Sequence, residues 1–161
     1  MWWRETRSEF DRNQGDGNQD LMNEIVISGK VPGILAYIDG QPAGWCSVAP
    51  RQDYGSLNRS RILQPIDDEP VWSIVCFFVA KSFRGQSLIE KLIKAAVAYV
   101  AENGGRILEA YPTVPRGKRL STISTFMGFP AVFEQAGFIQ VARPSEARMI
   151  MRYYIDDSEV D

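Results

Sequence analysis

Histidine is absent from this chain of 161 residues, and that absence removes a large share of enzyme chemistry. Ser-His-Asp and Cys-His catalysis both need an imidazole, and histidine-based metal sites go with them. No metal is expected. Cysteine is scarce: Cys46 and Cys76 match no zinc or redox spacing and fall inside apolar segments, so both read as small buried hydrophobes in a reducing compartment. Charge of one sign is lacking too. Lys and Arg total 18 against 20 Asp and Glu, a net charge of -2, which leaves no broad footprint for nucleic acid. No apolar run approaches the roughly 18 residues of a membrane span, and the N-terminus lacks a signal-peptide pattern. Neither a nucleic acid nor a membrane is expected as a partner, and a cytoplasmic location is the simplest expectation. With 45% hydrophobic residues, the chain can bury one sizeable core and reads as a single domain over 1–161.

What is present is concentrated between Val71 and Pro112. The run from Val71 to Ala80 is apolar on both alternating faces, which predicts a strand covered on both sides and central in its sheet. From Leu88 onward, Leu88, Leu92, Ala95, Ala96 and Tyr99 recur at helical spacing, with Glu90, Lys91, Lys94 and Glu102 mostly on the other side. Asn103-Gly104-Gly105 supplies the stop. The run Arg106 to Tyr111 then returns parallel to the first strand through a right-handed crossover. Between strand and helix, the turn Lys81 to Ser87 carries Arg84, a fixed cation, and Gly85, which lets backbone approach a ligand. The first N–H groups of the helix have no partner within it, and the helix dipole favours negative charge there. The unit therefore predicts a site for a pyrophosphate.

Elsewhere the signals are coarser. Met1 to Arg4 reads as the remnant of a short first strand beginning so abruptly that the natural start is expected upstream. Asn13 to Asn18 reads as a loop, and Asp20 to Ser28 as a helix ending near Gly29. Ile34 to Ile38 and Trp45 to Val48 are predicted to form a hairpin across Asp39-Gly40. Pro50 to Pro70 is irregular, with a short helix near Leu57 to Leu63. Arg148 to Ile155 reads as a final strand and a candidate homodimer interface.

Phe83-Arg-Gly-Gln-Ser-Leu88, placed after an apolar strand, resembles the acetyl-CoA motif of the GNAT (Gcn5-related) N-acetyltransferases, Arg/Gln-x-x-Gly-x-Gly/Ala. Phe133 to Phe138 with the strand-like Ile139 to Ala142 is similar to that family's late helix and following strand, and Gly33 to Trp45 to its second and third strands. The resemblance covers about 31–155. It implies an α/β fold, a mixed central sheet flanked by helices, with splayed fourth and fifth strands (here Val71 to Ala80 and Arg106 to Tyr111). It further implies acetyl-CoA as co-substrate, with Phe77, Phe78 and Val79 offering backbone to pantetheine and Arg84, Gly85, Gln86, Ser87 and Leu88 holding the pyrophosphate. Two positions depart from the motif. Ser87 stands where glycine is usual, a change that preserves or adds a phosphate contact. Ile89 stands where Gly or Ala is usual and is expected to crowd the pyrophosphate.

The family's proton-handling residues are missing. The central strand carries no acid, with Ser73 near the place of the usual glutamate, and Phe133 aligns with the usual late-helix tyrosine. The candidate base is Glu109, a lone carboxylate among apolar neighbours; its competing reading is a charge at a solvent-facing or splayed strand end. Tyr111 is the candidate acid, against a packing role. Asp67-Asp68-Glu69 offers attraction for a cationic amine, and Arg116, Lys118 and Arg119 a contact for the 3′-phosphate of coenzyme A; both also read as solvated loops. Phe126, Phe129, Phe133 and Phe138 read as core or as the wall of an acceptor pocket. The leading expectation is transfer of acetyl to the primary amine of a small molecule. The alternatives are a non-catalytic acyl-CoA-binding or regulatory module and a protein N-acetyltransferase.

Overall fold

Glycine placement and apolar alternation set the framework of the computed structural model, which describes residues 1–115 and 126–156. Asp39 and Gly40 both take positive φ, 50° and 75°, the geometry of a tight hairpin turn between β1 (Ile34–Ile38) and β2 (Gln41–Pro50). β3 (Trp72–Val79) follows, then α4 (Leu88–Glu102), β4 (Ile107–Ala110), α5 (Pro130–Gln135), β5 (Ile139–Ser145) and β6 (Arg148–Tyr154). Short helices α1 (Arg7–Arg12), α2 (Asp16–Ile27) and α3 (Gly55–Asn58) precede β3. No helix among the described residues is long and apolar enough to cross a membrane.

The strands form one six-stranded sheet in the order β1-β2-β3-β4-β6-β5. Every pairing is antiparallel except β3 with β4, the pair joined through α4. That parallel ladder is short, running from Trp72, Ser73 and Ile74 against Leu108, Glu109 and Ala110. Beyond it β3 stays with β2 as far as Val79, whereas the chain after β4 follows β6, with Thr113 bridging Arg148. The two central strands thus splay apart. The ladder between β2 and β3 also slips, Ser47 facing Cys76 but Val48 facing Ile74, so Val75 is an extra residue in β3. A bulge of this kind bends and twists its strand, and it lies where the parallel ladder ends.

One face of the sheet is covered by α4 and α5. Leu88, Leu92, Ile93, Ala96, Val97 and Val100 of α4 pack there with Ile74, Phe77 and Phe133. The opposite face packs Val75, Tyr111 and Ile150 against Tyr54, Leu57 and Leu63 from the segment after β2. Phe133 and Phe138 are buried core residues with ring centroids 5.2 Å apart, Phe129 is partly buried, and Phe126 is exposed.

Several sequence expectations are corrected. Met1 to Arg4 is a turn and not a strand: Arg4 N–H donates to the Met1 carbonyl, Ser56 N–H takes the Trp3 carbonyl, and Trp3 packs on the second core cluster. With these polar groups satisfied locally, no ladder forms, and β1 is the outer strand. The loop expected over Asn13 to Asn18 is cut short because Gly15, at φ 78°, turns the chain into α2 from Asp16. The helix expected near Leu57 to Leu63 is the single turn α3, preceded by a 3₁₀ turn over Arg51–Asp53. The final strand stands where it is expected, as β6 between β4 and β5, with β5 the outer strand on that side.

Candidate functional site

The loop from Val79 to Leu88 builds a cradle at the start of α4. A 3₁₀ turn over Lys81–Phe83 reverses the chain after β3, Gly85 takes φ 79°, and Ser87 takes the left-handed conformation at φ 51°. A Cβ on Gly85 would meet nothing within 4 Å, so its backbone angle, and not a shortage of room, favours glycine. A cavity of about 270 Å³ opens here, lined by Val79, Phe83, Arg84, Gly85, Ser87, Leu88, Ile89, Glu90 and Val132. Arg84 is exposed, and its Nε donates to the Val79 carbonyl at 3.3 Å, which ties the cation to the end of β3. Gln86 is exposed but does not line the cavity, and Leu88 is buried beneath it. The arrangement suits a phosphate: a cation, the first N–H groups of a 15-residue helix and a backbone without bulk at Gly85. Ser87 does not act as the cap residue the sequence suggests. It makes no side-chain capping bond and accepts a left-handed backbone instead. Ile89 lines the cavity and packs partly on the core, which puts its side chain where crowding was anticipated.

Beyond the parallel ladder, β3 forms one arm of the cleft. Phe77 N–H points away from β2 and donates to the Phe126 carbonyl at 2.6 Å, and strand alternation puts the Val79 backbone on the same side. Phe78 is 52% exposed, on the face opposite α4. The segment Phe126 to Gly128 spans the cleft as a strut. Its first carbonyl takes Phe77 of β3, its last takes the Thr113 N–H on the β4 side, and Met127 meets Arg148 of β6.

Glu109 and Tyr111 are brought together, but beneath the surface. Glu109 is 1% exposed and neither lone nor solvent-facing: Arg152 Nε holds its Oε2 at 2.8 Å, while Oε1 receives the Tyr111 hydroxyl at 2.6 Å and Arg51 Nη1 at 3.5 Å. Tyr111, fully buried, also pairs with Ser73 Oγ at 2.8 Å and receives Arg51 Nη1 at 2.7 Å. Burial foremost, and then the Glu109 carboxylate, pushes the Tyr111 hydroxyl well above its ordinary value, so its proton is held. Asp67 closes the cluster with a bidentate pair to Arg152 at 2.6 and 2.9 Å. The bonds to Asp67 foremost, and then the bond to Glu109 and its charge, push Arg152 further into its charged form against the effect of burial. Signals for this cluster were present as polar residues in apolar runs, Ser73, Glu109 and Arg152, but their partners lie 43 and 85 residues apart in the chain.

Asp67, Asp68 and Glu69 line a different cavity of about 540 Å³ with Trp72, Gly105 and Arg106, at the end of β3 away from the splay. The anticipated attraction for an amine is therefore not delivered to the cleft. Arg116, Lys118 and Arg119 lie outside the described residues. Among the described residues no group of three His, Cys, Asp or Glu side chains could hold a metal.

A family model, that of the acetyltransferase (GNAT) family, matches residues 1–121. No curated protein sequence matches significantly. Among solved structures, a GNAT-family acetyltransferase from Desulfovibrio desulfuricans is 22% identical, with a TM-score of 0.57 over 88% of this chain and 80% of its own. A ribosomal-protein-alanine N-acetyltransferase from Brucella melitensis is 16% identical, with a TM-score of 0.53 over 86% and 77%. The NatC complex bound to Gag peptide and CoA gives 11% identity and a TM-score of 0.54 over 85% and 79%. At these identities the structures speak for the fold.

Proposed function

This chain belongs to the acetyltransferase (GNAT) family of acyl-CoA-dependent acyltransferases, and from that premise we propose that it moves an acetyl group from acetyl-CoA to the primary amine of a small molecule. The observation that carries the reading is the splay of β3 from β4 beside a cation-bearing cavity at the start of α4. Arg84 and the first N–H groups of α4 hold the pyrophosphate, with Gly85, Gln86, Ser87 and Leu88 shaping the approach. Pantetheine runs along the open backbone of β3. Val79 N–H is its first available donor, since Phe77 N–H is engaged by Phe126 and becomes available only when that strut yields. The co-substrate supplies an activated thioester. A backbone N–H aimed at its carbonyl stabilises the charge that develops as the amine attacks.

Proton handling follows from what is sealed. An amine with pKa about 10.4 is neutral in fewer than ~1 in 1,000 molecules at pH 7, so a proton must leave before attack. Glu109, with both oxygens engaged, is a positioning residue in this reading, and the proton goes to solvent. Attack forms the C–N bond and breaks the C–S bond. The thiolate, with pKa about 8.5 by analogy with cysteine, leaves without a protein acid, since Phe133 has no proton to give and Tyr111 keeps its own.

Calorimetry with acetyl-CoA, followed by a free-thiol release assay over an amine panel, tests the proposal. Binding with turnover on small amines is expected. Turnover on peptides alone would move the acceptor to proteins, and binding without turnover on any acceptor would overturn transfer in favour of a binding module.

A further inference from the structure

Arg51, Arg148 and Arg152 lie on the side of the sheet opposite α4, and they are not equivalent. Arg152 and Arg51 are 3% and 7% exposed and share the Glu109 carboxylate, with Asp67 completing the charge balance. Arg148, two turns of the strand alternation away from Arg152 on β6, forms no ion pair among the described residues. Its Nη1 alone is used, on neutral atoms: the Tyr111 carbonyl at 3.3 Å, Thr113 Oγ1 at 2.7 Å and Met127 Sδ at 2.9 Å. The residue is partly buried, and desolvation pulls its guanidinium below its ordinary value. A guanidinium half withdrawn from water and without a counter-ion is stabilised when an anion arrives.

Its position ties that vacancy in charge to the reaction. Met127, which Arg148 touches, is the residue after Phe126, whose carbonyl holds Phe77 N–H in the splay. The guanidinium is thus separated from the β3 backbone of the cleft by one methionine side chain and one peptide unit. It also lies on the face opposite α4 and α5, at the border of the second core cluster. Phe78, exposed on this same face beyond the ladder, marks it as the side from which an acceptor amine can approach.

We propose that Arg148 receives a carboxylate of the acceptor, so that the amine acetylated by this protein belongs to a molecule of the amino-acid class. The inference rests on the transferase reading above and narrows its substrate. The planar fork of the guanidinium matches a carboxylate, and its other two nitrogens make no bond to the described residues that would have to be broken first.

The test compares α- and ω-amino acids with their amides in the thiol-release assay, for the parent protein and for Arg148→Gln and Arg148→Lys. Amidation lowers the basicity of a neighbouring amine and by itself favours attack, so a preference for the acid reports recognition. The parent is expected to favour the best amino acid over its amide by roughly 10- to 100-fold in kcat/KM, the range of a charge-assisted hydrogen bond. Arg148→Gln is expected to bring that ratio toward one, and Arg148→Lys to restore part of it. Parallel losses on acids and amides, leaving the ratio intact, would overturn the proposal and assign Arg148 to joining β4 with β6. Calorimetry with an N-acetylated amino acid, which carries the carboxylate and no amine, gives a readout independent of turnover. Binding to the parent and not to Arg148→Gln supports the site even if no amine is acetylated, an outcome that would sink the transferase reading alone. Equal binding to both, or to neither, overturns the carboxylate site.

Discussion

The two ends of the β3–β4 pair are built on opposite terms. At the closed end the strands are laddered and the polar groups are mutually satisfied: Ser73 is fully buried, Glu109 is 1% exposed, and two arginines and Asp67 balance the charge. At the open end the strands part, Phe78 stands exposed, Ser87 adopts a left-handed backbone, and Arg148 has no anionic partner among the described residues. The difference teaches where strain and unmet charge are tolerated. A sheet tied at one end by a buried ionic cluster can hold the other end open without collapsing it, and binding sites are drawn from the less satisfied end.

The largest expected effect lies in breaking the closed end. Glu109→Ala leaves buried Arg51 without a carboxylate partner among the described residues and Arg152 with Asp67 alone, and is expected to cost about 3–5 kcal/mol in urea unfolding. A loss below about 1 kcal/mol would mean the cluster does not anchor the pair. Glu109→Gln sharpens the same point: turnover that collapses while the variant stays folded and binds acetyl-CoA normally would return Glu109 to the role of base.

At the open end the expectation is reversed, function changing while stability does not. Arg84→Ala is expected to weaken acetyl-CoA binding by roughly 10- to 100-fold in calorimetry. Its unfolding free energy should stay within about 0.5 kcal/mol of the parent, as for an exposed surface residue. Unchanged affinity would remove this cation from the phosphate cradle.

A smaller change of opposite sign is expected at Ser87. Replacing it with glycine relieves a left-handed backbone and should stabilise the protein by up to about 1 kcal/mol, part of the gain being offset by the entropy of the unfolded glycine. A destabilised Ser87→Gly would show that the hydroxyl makes a contact beyond the cap.

The mildest test is pH. The Arg152 guanidinium beside Asp67 holds its carboxyl below its ordinary value. A depressed carboxyl contributes stability above its unfolded pKa, about 3.9, and loses that contribution as pH falls through the lower folded value. Stability measured against pH should therefore drop more steeply below pH 4 in the parent than in Asp67→Asn, and coincident profiles would show the pair contributes nothing.

Much of the open end was legible in the sequence because its signals are local. The two-sided apolar run of β3, the glycines after α4 and the Arg84-Gly85 turn each declare themselves within a few residues. Asp39-Gly40 marked its hairpin for the same reason. The limits of β2 were not legible, since its pairing extends past the apolar core to Gln41 and Pro50. The closed end was misread because its meaning is tertiary: Glu109 seemed alone until Arg51, Asp67 and Arg152 arrived from three other segments. Arg148 gave no sign, as nothing in a strand of alternating residues says which charge will find a counter-ion.

The additional residue at Val75 has a kinetic consequence. A hinge has two states, but a bulge fixed by chain length has one, so the divergence of β3 from β4 is set when the chain folds and does not await a ligand. The slow step in capturing a coenzyme should then be displacement of the short Phe126 strut and not separation of strands. Observed binding rates should rise in proportion to ligand concentration until that displacement limits them.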